Sequence, residues 1–212
     1  MKDSITQFFR RHPLLSTGIT ILIFVFVQAI FSFCSKKTCP AFESKPFNNW
    51  FPYAKGQTLL FISNKGNQDT LKIVTRYSSA AYMYGGIYSR PRECRPDGRI
   101  VSQPLDNGLP FLLISAENVE TLEVDLTIKQ FRLLAVDLSD SGLVLTPESG
   151  LNHTSAFLDR YVFEGRTYNN VQTITRDTSS VKNSGIYKIW LSKSNGIIGY
   201  EDYPTLERWA RQ

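Results

Sequence analysis

Leu122, Val124, Leu126 and Ile128 alternate without a break with Glu123, Asp125, Thr127 and Lys129. A period of two over eight residues fits a half-buried antiparallel strand with one wet face, and it excludes a helix there. The same signature recurs along the chain. Residues 58–62 form a short apolar run, residues 64–68 a turn cluster (Asn-Lys-Gly-Asn-Gln), and Leu71, Ile73, Thr75 and Tyr77 alternate with Thr70, Lys72, Val74 and Arg76. That pattern predicts a hairpin. Residues 111–115, 131–138 and 143–145 read as further strands, with a bulge at Lys129-Gln130 and a turn at 139–142.

The C-terminal third repeats the theme. Residues 161–163 and 171–174 flank Glu164-Gly165-Arg166, the second strand beginning as early as Thr167. Residues 186–191 and 196–200 flank Ser192-Lys193-Ser194-Asn195 as a closing hairpin. Leu206-Glu207-Arg208-Trp209 reads as a last short strand or a helical turn. Residues 80–88 are a weaker strand with a glycine bend. Residues 89–110, with Pro91, Pro96, Gly98, Pro104, Gly108 and Pro110, read as one long loop, and residues 147–154 as another. Turn signals every 8–15 residues and no 3.6-residue period after residue 34 predict an all-β fold: an antiparallel curved sheet, sandwich or open half-barrel.

The amino terminus differs. No charged side chain lies between His12 and Lys36, and residues 14–33 are 20 mostly apolar residues, which as a helix span about 30 Å, the hydrocarbon thickness of a bilayer. Lys2, Arg10 and Arg11 precede the run, as expected of a segment whose start stays in the cytoplasm. The expected organisation is a basic region over 1–13, a transmembrane or signal helix over 14–33, an extended linker over 34–52 that docks through Phe42, Phe47, Trp50 and Phe51, and a β-rich extracytoplasmic domain over 53–212. The apolar run is longer than the roughly 7–15 residues of a cleaved signal core, which favours an uncleaved anchor. Cys34 ends the run where a bacterial lipoprotein is cleaved and acylated, although bulky Phe33 stands where a small residue normally precedes the cysteine. Both readings remain open, and both put the β-domain outside the cytoplasm.

Charge and cysteine content narrow the partners. The whole chain carries 24 Lys+Arg against 19 Asp+Glu. Without residues 1–34 the balance is 21 against 18, too weak a basic bias for nucleic-acid binding. Cys39 and Cys94 remain as a pair that an oxidising compartment permits to bond. A loop of about 55 residues closed this way is stabilised by roughly 4 kcal/mol on a chain-entropy view; the alternative is two free thiols.

The order Cys34, Cys39-Pro40-Ala41-Phe42, Trp50-Phe51-Pro52-Tyr53, Gly56-Gln57, and the ending Gly196-Ile197-Ile198-Gly199-Tyr200-Glu201-Asp202 before Trp209, resembles small uncharacterised envelope lipoproteins of Bacteroidota. The resemblance implies a membrane-anchored envelope protein and carries no activity. Its motifs look like packing and turn motifs. Basic Ser35-Lys36-Lys37 after the cysteine implies a domain facing the periplasm.

No catalytic, metal or cofactor motif emerges: there is no G-x-S-x-G, H-E-x-x-H, P-loop or G-x-G-x-x-G. Two histidines and three cysteines leave too few ligands for most zinc frameworks. Ser179 and Lys182 fit S-x-x-K only within a polar loop, and His153 reads as a lone loop histidine. Arg90, Arg92, Arg95 and Arg99 crowd the loop around Cys94. Their forks suit phosphates or carboxylates of a headgroup or an acidic partner, against a solvated loop countered by Glu93 and Asp97. The expectation is a membrane-anchored, non-enzymatic protein of the bacterial envelope. Its β-domain would bind a partner protein or an amphiphilic ligand such as a lipid held against an apolar sheet face. A structural subunit of a larger envelope complex is the alternative, and an enzyme the remotest one.

Overall fold

The computed structural model describes residues 18, 21–26, 42–78, 82–84, 93–103, 110–118, 121–146, 153–178 and 185–212. The chain divides into two compact units, Met1–Thr38 and Cys39–Gln212. In the first, residues 21–26 are helical, and their six apolar side chains are 57–70% exposed. No helix among the described residues is long and apolar enough to cross a membrane. The rest of 14–33 lies outside them.

The second unit is all-β. One short helix, α1 (Lys45–Trp50), precedes fourteen strands: β1 (Thr58–Ser63), β2 (Gln68–Ser78), β3 (Tyr82–Tyr84), β4 (Glu93–Arg95), β5 (Asp97–Ser102), β6 (Leu112–Asn118), β7 (Leu122–Ile128), β8 (Phe131–Ser139), β9 (Gly142–Leu145), β10 (His153–Phe163), β11 (Arg166–Arg176), β12 (Gly185–Ser192), β13 (Gly196–Tyr203) and β14 (Glu207–Arg211). Twelve form one antiparallel sheet in the order β10-β11-β12-β13-β14-β1-β2-β5-β6-β7-β8-β9, and β3 pairs with β4 alone. The sheet is nearly closed and barrel-shaped. Its two meanders join where β14 returns to pair with β1, Ser63 opposite Trp209.

Local chemistry sets the turns. Glu164 (φ 45°) and Gly165 (φ 76°) are both left-handed between the paired Phe163 and Arg166, the backbone of a two-residue hairpin whose twist matches its strands. Lys129 (φ 50°) and Gln130 make the β7–β8 connection, Ile128 facing Phe131 across it. That pair is therefore a tight turn and not a bulge.

Three further expectations change. Residues 89–110 are not one loop, because β4 and β5 lie within them. Gly98 read as a breaker, yet it is a strand glycine: the Phe42 ring lies where its Cβ would be, 2.6 Å from the Cδ1 atom. Residues 153–160, read as loop and gap, belong to β10, an edge strand so exposed on both faces that no hydrophobic period marks it. Within the stretch read as extended linker, residues 45–50 are helical. Ser44 caps the helix by accepting the Phe47 N–H at 3.2 Å, and Pro46 follows near its start. The closing stretch is a strand, β14.

The core is aromatic at its centre. Phe42, Phe47, Trp50, Phe51 and Tyr53, all from residues 42–53, are buried with Leu59, Phe61, Ile100, Leu126, Phe131, Ile189 and Tyr200 from the strands. A smaller cluster of Phe163, Val171, Trp190, Ile198 and Ala210 occupies the opposite face of the sheet. There the tip of the β10–β11 hairpin lies on β12–β14. The Phe163 ring lies tilted 4.7 Å from Trp190, and Glu164 meets Arg208 at 3.6 Å. Covered on both faces, β12 and β13 bury nearly consecutive residues where an open sheet would alternate.

Candidate functional site

A curved sheet holds a ligand only if its lumen is empty. Here the aromatic side chains of residues 42–53 fill the barrel core, while Glu43, Lys45, Asn48 and Pro52 stay exposed, and the segment is fixed at several points. Trp50 Nε1–H donates to the Ser139 carbonyl at 3.0 Å. The Tyr53 hydroxyl accepts the Ile197 N–H at 2.6 Å. Arg76 donates to the carbonyls of Phe51 and Tyr53 and to Asn48 Oδ1. Ser78 Oγ donates to the Phe42 carbonyl at 2.7 Å. Full burial raises the Tyr53 phenol to about 12.

The seam between the end strands β9 and β10 is also occupied. Gln172, on β11 and buried, accepts the Leu143 N–H at 2.9 Å and donates its amide N–H to the Leu143 carbonyl at 2.8 Å. One side-chain amide thus satisfies the outward-facing main chain of β9 as a neighbouring strand would.

One barrel end carries a charged aromatic cluster. Lys129 Nζ lies 4.9 Å from the Phe111 ring, 5.0 Å from Tyr200 and 5.2 Å from Trp209. It also meets Asp69 at 2.8 Å, and the same carboxylate oxygen accepts the Tyr200 hydroxyl at 2.5 Å. Burial first, then Asp69, pushes the Tyr200 phenol strongly up. Burial also raises Asp202, which accepts the Trp209 indole N–H at 3.0 Å. Such a cage of rings suits a cationic ligand, but the chain's own lysine fills it.

The outer face of β5–β8 bears a shallow groove of about 430 Å³ lined by Asp97, Arg99, Glu117, Glu123, Asp125 and Val136, among others. Register makes this acidic. Asp97 pairs with Glu117, and Glu117 with Glu123, so three carboxylates stand in one cross-strand row. Asp125 is held by Arg132 at 2.7 Å.

No protein-family model matches the chain, nor does any curated protein or any solved structure. The reading of its surfaces therefore rests on their own geometry.

Of the residues singled out by sequence, Cys34, Cys39, Arg90 and Arg92 lie outside the described residues, as do Ser179 and Lys182. Cys94 and Arg95 sit on β4, opposite Met83 and Tyr82. Arg99 lies over the Tyr77 ring at 5.8 Å and shares its groove with Asp97, Glu117 and Glu123. The His153 ring packs edge-on against Phe131 at 5.3 Å. Among the described residues no group of three His, Cys, Asp or Glu could hold a metal. Sequence reasoning missed Gln172, Lys129 and the row Asp97–Glu117–Glu123. Only the row had a readable signal, acidic residues at alternate positions of neighbouring strands.

Proposed function

We propose that the chain is a membrane-anchored protein of a bacterial envelope whose β-domain faces the periplasm and acts without catalysis, by binding a partner protein on its outer surface. The observation that carries this reading is the filled lumen. Phe42, Phe47, Trp50, Phe51 and Tyr53 occupy the space an acyl chain would need, which favours a protein partner over an amphiphilic ligand. The six exposed apolar side chains of residues 21–26 support the anchor, since such a surface is stable only against lipid or protein. The polar groups that converge are committed to one another, as in Lys129–Asp69–Tyr200 and Tyr187–Glu201–Arg208, which supports a non-catalytic role.

The test is fractionation of cells producing the full chain. The reading expects it in carbonate-washed membranes, with the β-domain cut by protease only after the outer membrane is permeabilised. Recovery in the soluble fraction, or digestion only after the inner membrane is opened, would overturn it. Intact mass then separates the two anchors: the unmodified 24.1 kDa chain for a signal anchor, or a chain lacking residues 1–33 and carrying acyl groups for a lipoprotein.

A further inference from the structure

The two end strands of the sheet are unlike. β9 has four residues and gives the outward main chain of Leu143 to Gln172. β10 has eleven residues and pairs on one side only, with β11. Among the described residues no other main-chain-to-main-chain hydrogen bond reaches Thr154–Phe163, and the Thr173 hydroxyl of β11 donates to the Ala156 carbonyl at 3.3 Å. It carries no proline or lysine, and Thr154, Ser155, Ala156, Phe157, Asp159, Arg160 and Val162 are exposed. Native edges are normally shortened, bent or charged against pairing. This one is long and carries only the neighbouring charges Asp159 and Arg160, and Phe157 stands 42% exposed in its middle with one edge of its ring against Trp50 at 6.4 Å.

We propose that β10 pairs antiparallel with β10 of a second copy of this chain, making one sheet continuous through both molecules. Symmetry and charge select the register. A two-fold axis perpendicular to the sheet keeps each face on its own side, so the strands must be centred on a single residue. Centring on Asp159 or Arg160 sets like charges face to face. Centring on Leu158 sets each Asp159 against Phe157. Centring on Phe157 pairs that ring with its symmetry mate, Ser155 with Asp159, Thr154 with Arg160 and Ala156 with Leu158. Only this last arrangement brings aromatic side chains together and gives both charges polar neighbours. The assignment goes beyond the anchoring reading and does not depend on it.

The experiment is light scattering of the full chain in detergent micelles from about 5 to 200 µM (around the micromolar dissociation constant of a complex held by about 7 kcal/mol), with the mass of protein separated from that of detergent. The expected protein mass rises from 24.1 kDa to twice that value. Ser155 is exposed, so its substitution leaves the fold intact, which thermal unfolding checks. Ser155→Asp sets two carboxylates opposite each other at two symmetric places and weakens the dimer roughly tenfold; Ser155→Lys meets Asp159 and tightens it several-fold. A protein mass fixed at one chain up to 200 µM overturns the proposal. So does a dimer whose dissociation constant is indifferent to both substitutions, which would place the contact elsewhere, the apolar N-terminal run included.

Discussion

Gln172 joins two strands that share no ladder. Its amide lies in the buried seam and matches the N–H and C=O of Leu143 one for one. Gln172→Leu keeps the bulk and leaves both main-chain groups without a partner. Each unmade bond costs about 1–3 kcal/mol, so we expect a loss of about 2–6 kcal/mol in urea unfolding, with an unchanged m-value. The tyrosines give a second residue-scale test. Tyr53, by burial, and Tyr187, by burial and then by Glu201, are raised to about 12, and Tyr200 is raised further. A phenol whose folded value lies above its unfolded value stabilises fully below the unfolded value, near 10. That contribution is lost as pH rises through the folded one. Absorbance at 295 nm should therefore show these three of the ten tyrosines ionising last, together with loss of far-ultraviolet dichroism between pH 10 and 12. Their ionisation below pH 10 with the fold intact would contradict the buried hydrogen bonds.

Strands with one wet face were legible element by element, because burial on a single face writes a period of two into the sequence. β7 and the β1–β2 hairpin follow that rule, alternating buried and more exposed positions along most of their length. Elements that break the rule were illegible for physical reasons. β5 has at its second position a glycine, Gly98, whose missing side chain leaves room for the Phe42 ring, and β10 has no buried face to pattern. The six-residue α1 is too short for a period, and only Ser44 and Pro46 announced it. The Gly196-Ile-Ile-Gly-Tyr motif was legible as packing, but its reason is tertiary. A Cβ at Gly196 would overlap the Tyr53 hydroxyl, and one at Gly199 would lie 2.5 Å from the Phe163 ring. α1 is held in the core through Trp50, fully buried and bonded to Ser139. Trp50→Ala should cost about 3–5 kcal/mol in the same unfolding experiment. The acidic row predicts the opposite sign. Glu117→Gln removes the middle charge of three and should stabilise by about 0.5–1 kcal/mol at low salt, an effect that shrinks at 1 M salt, where charges are screened within about 3 Å.

For the whole molecule, the all-β class was legible because turn signals recur at strand spacing, whereas closure was not. Closure depends on β14 meeting β1 across nearly the full domain and on the aromatic side chains of residues 42–53 filling the core, and neither contact leaves a local mark. The same filling turns the functional reading outward, away from a lipid held inside the sheet and toward surfaces such as the open β10 edge. Binding turns outward only if the aromatic side chains of residues 42–53 occupy the lumen permanently. Hydrogen–deuterium exchange on the full chain tests this directly. The hydrogen-bonded amides of Asn48, Phe51 and Ile197 should be protected to within about tenfold of those in the β12–β13 ladder, since all would open only with the barrel. Exchange of Asn48 and Phe51 within seconds while β12–β13 stays protected would mean that residues 42–53 leave the lumen on their own, and would contradict the account.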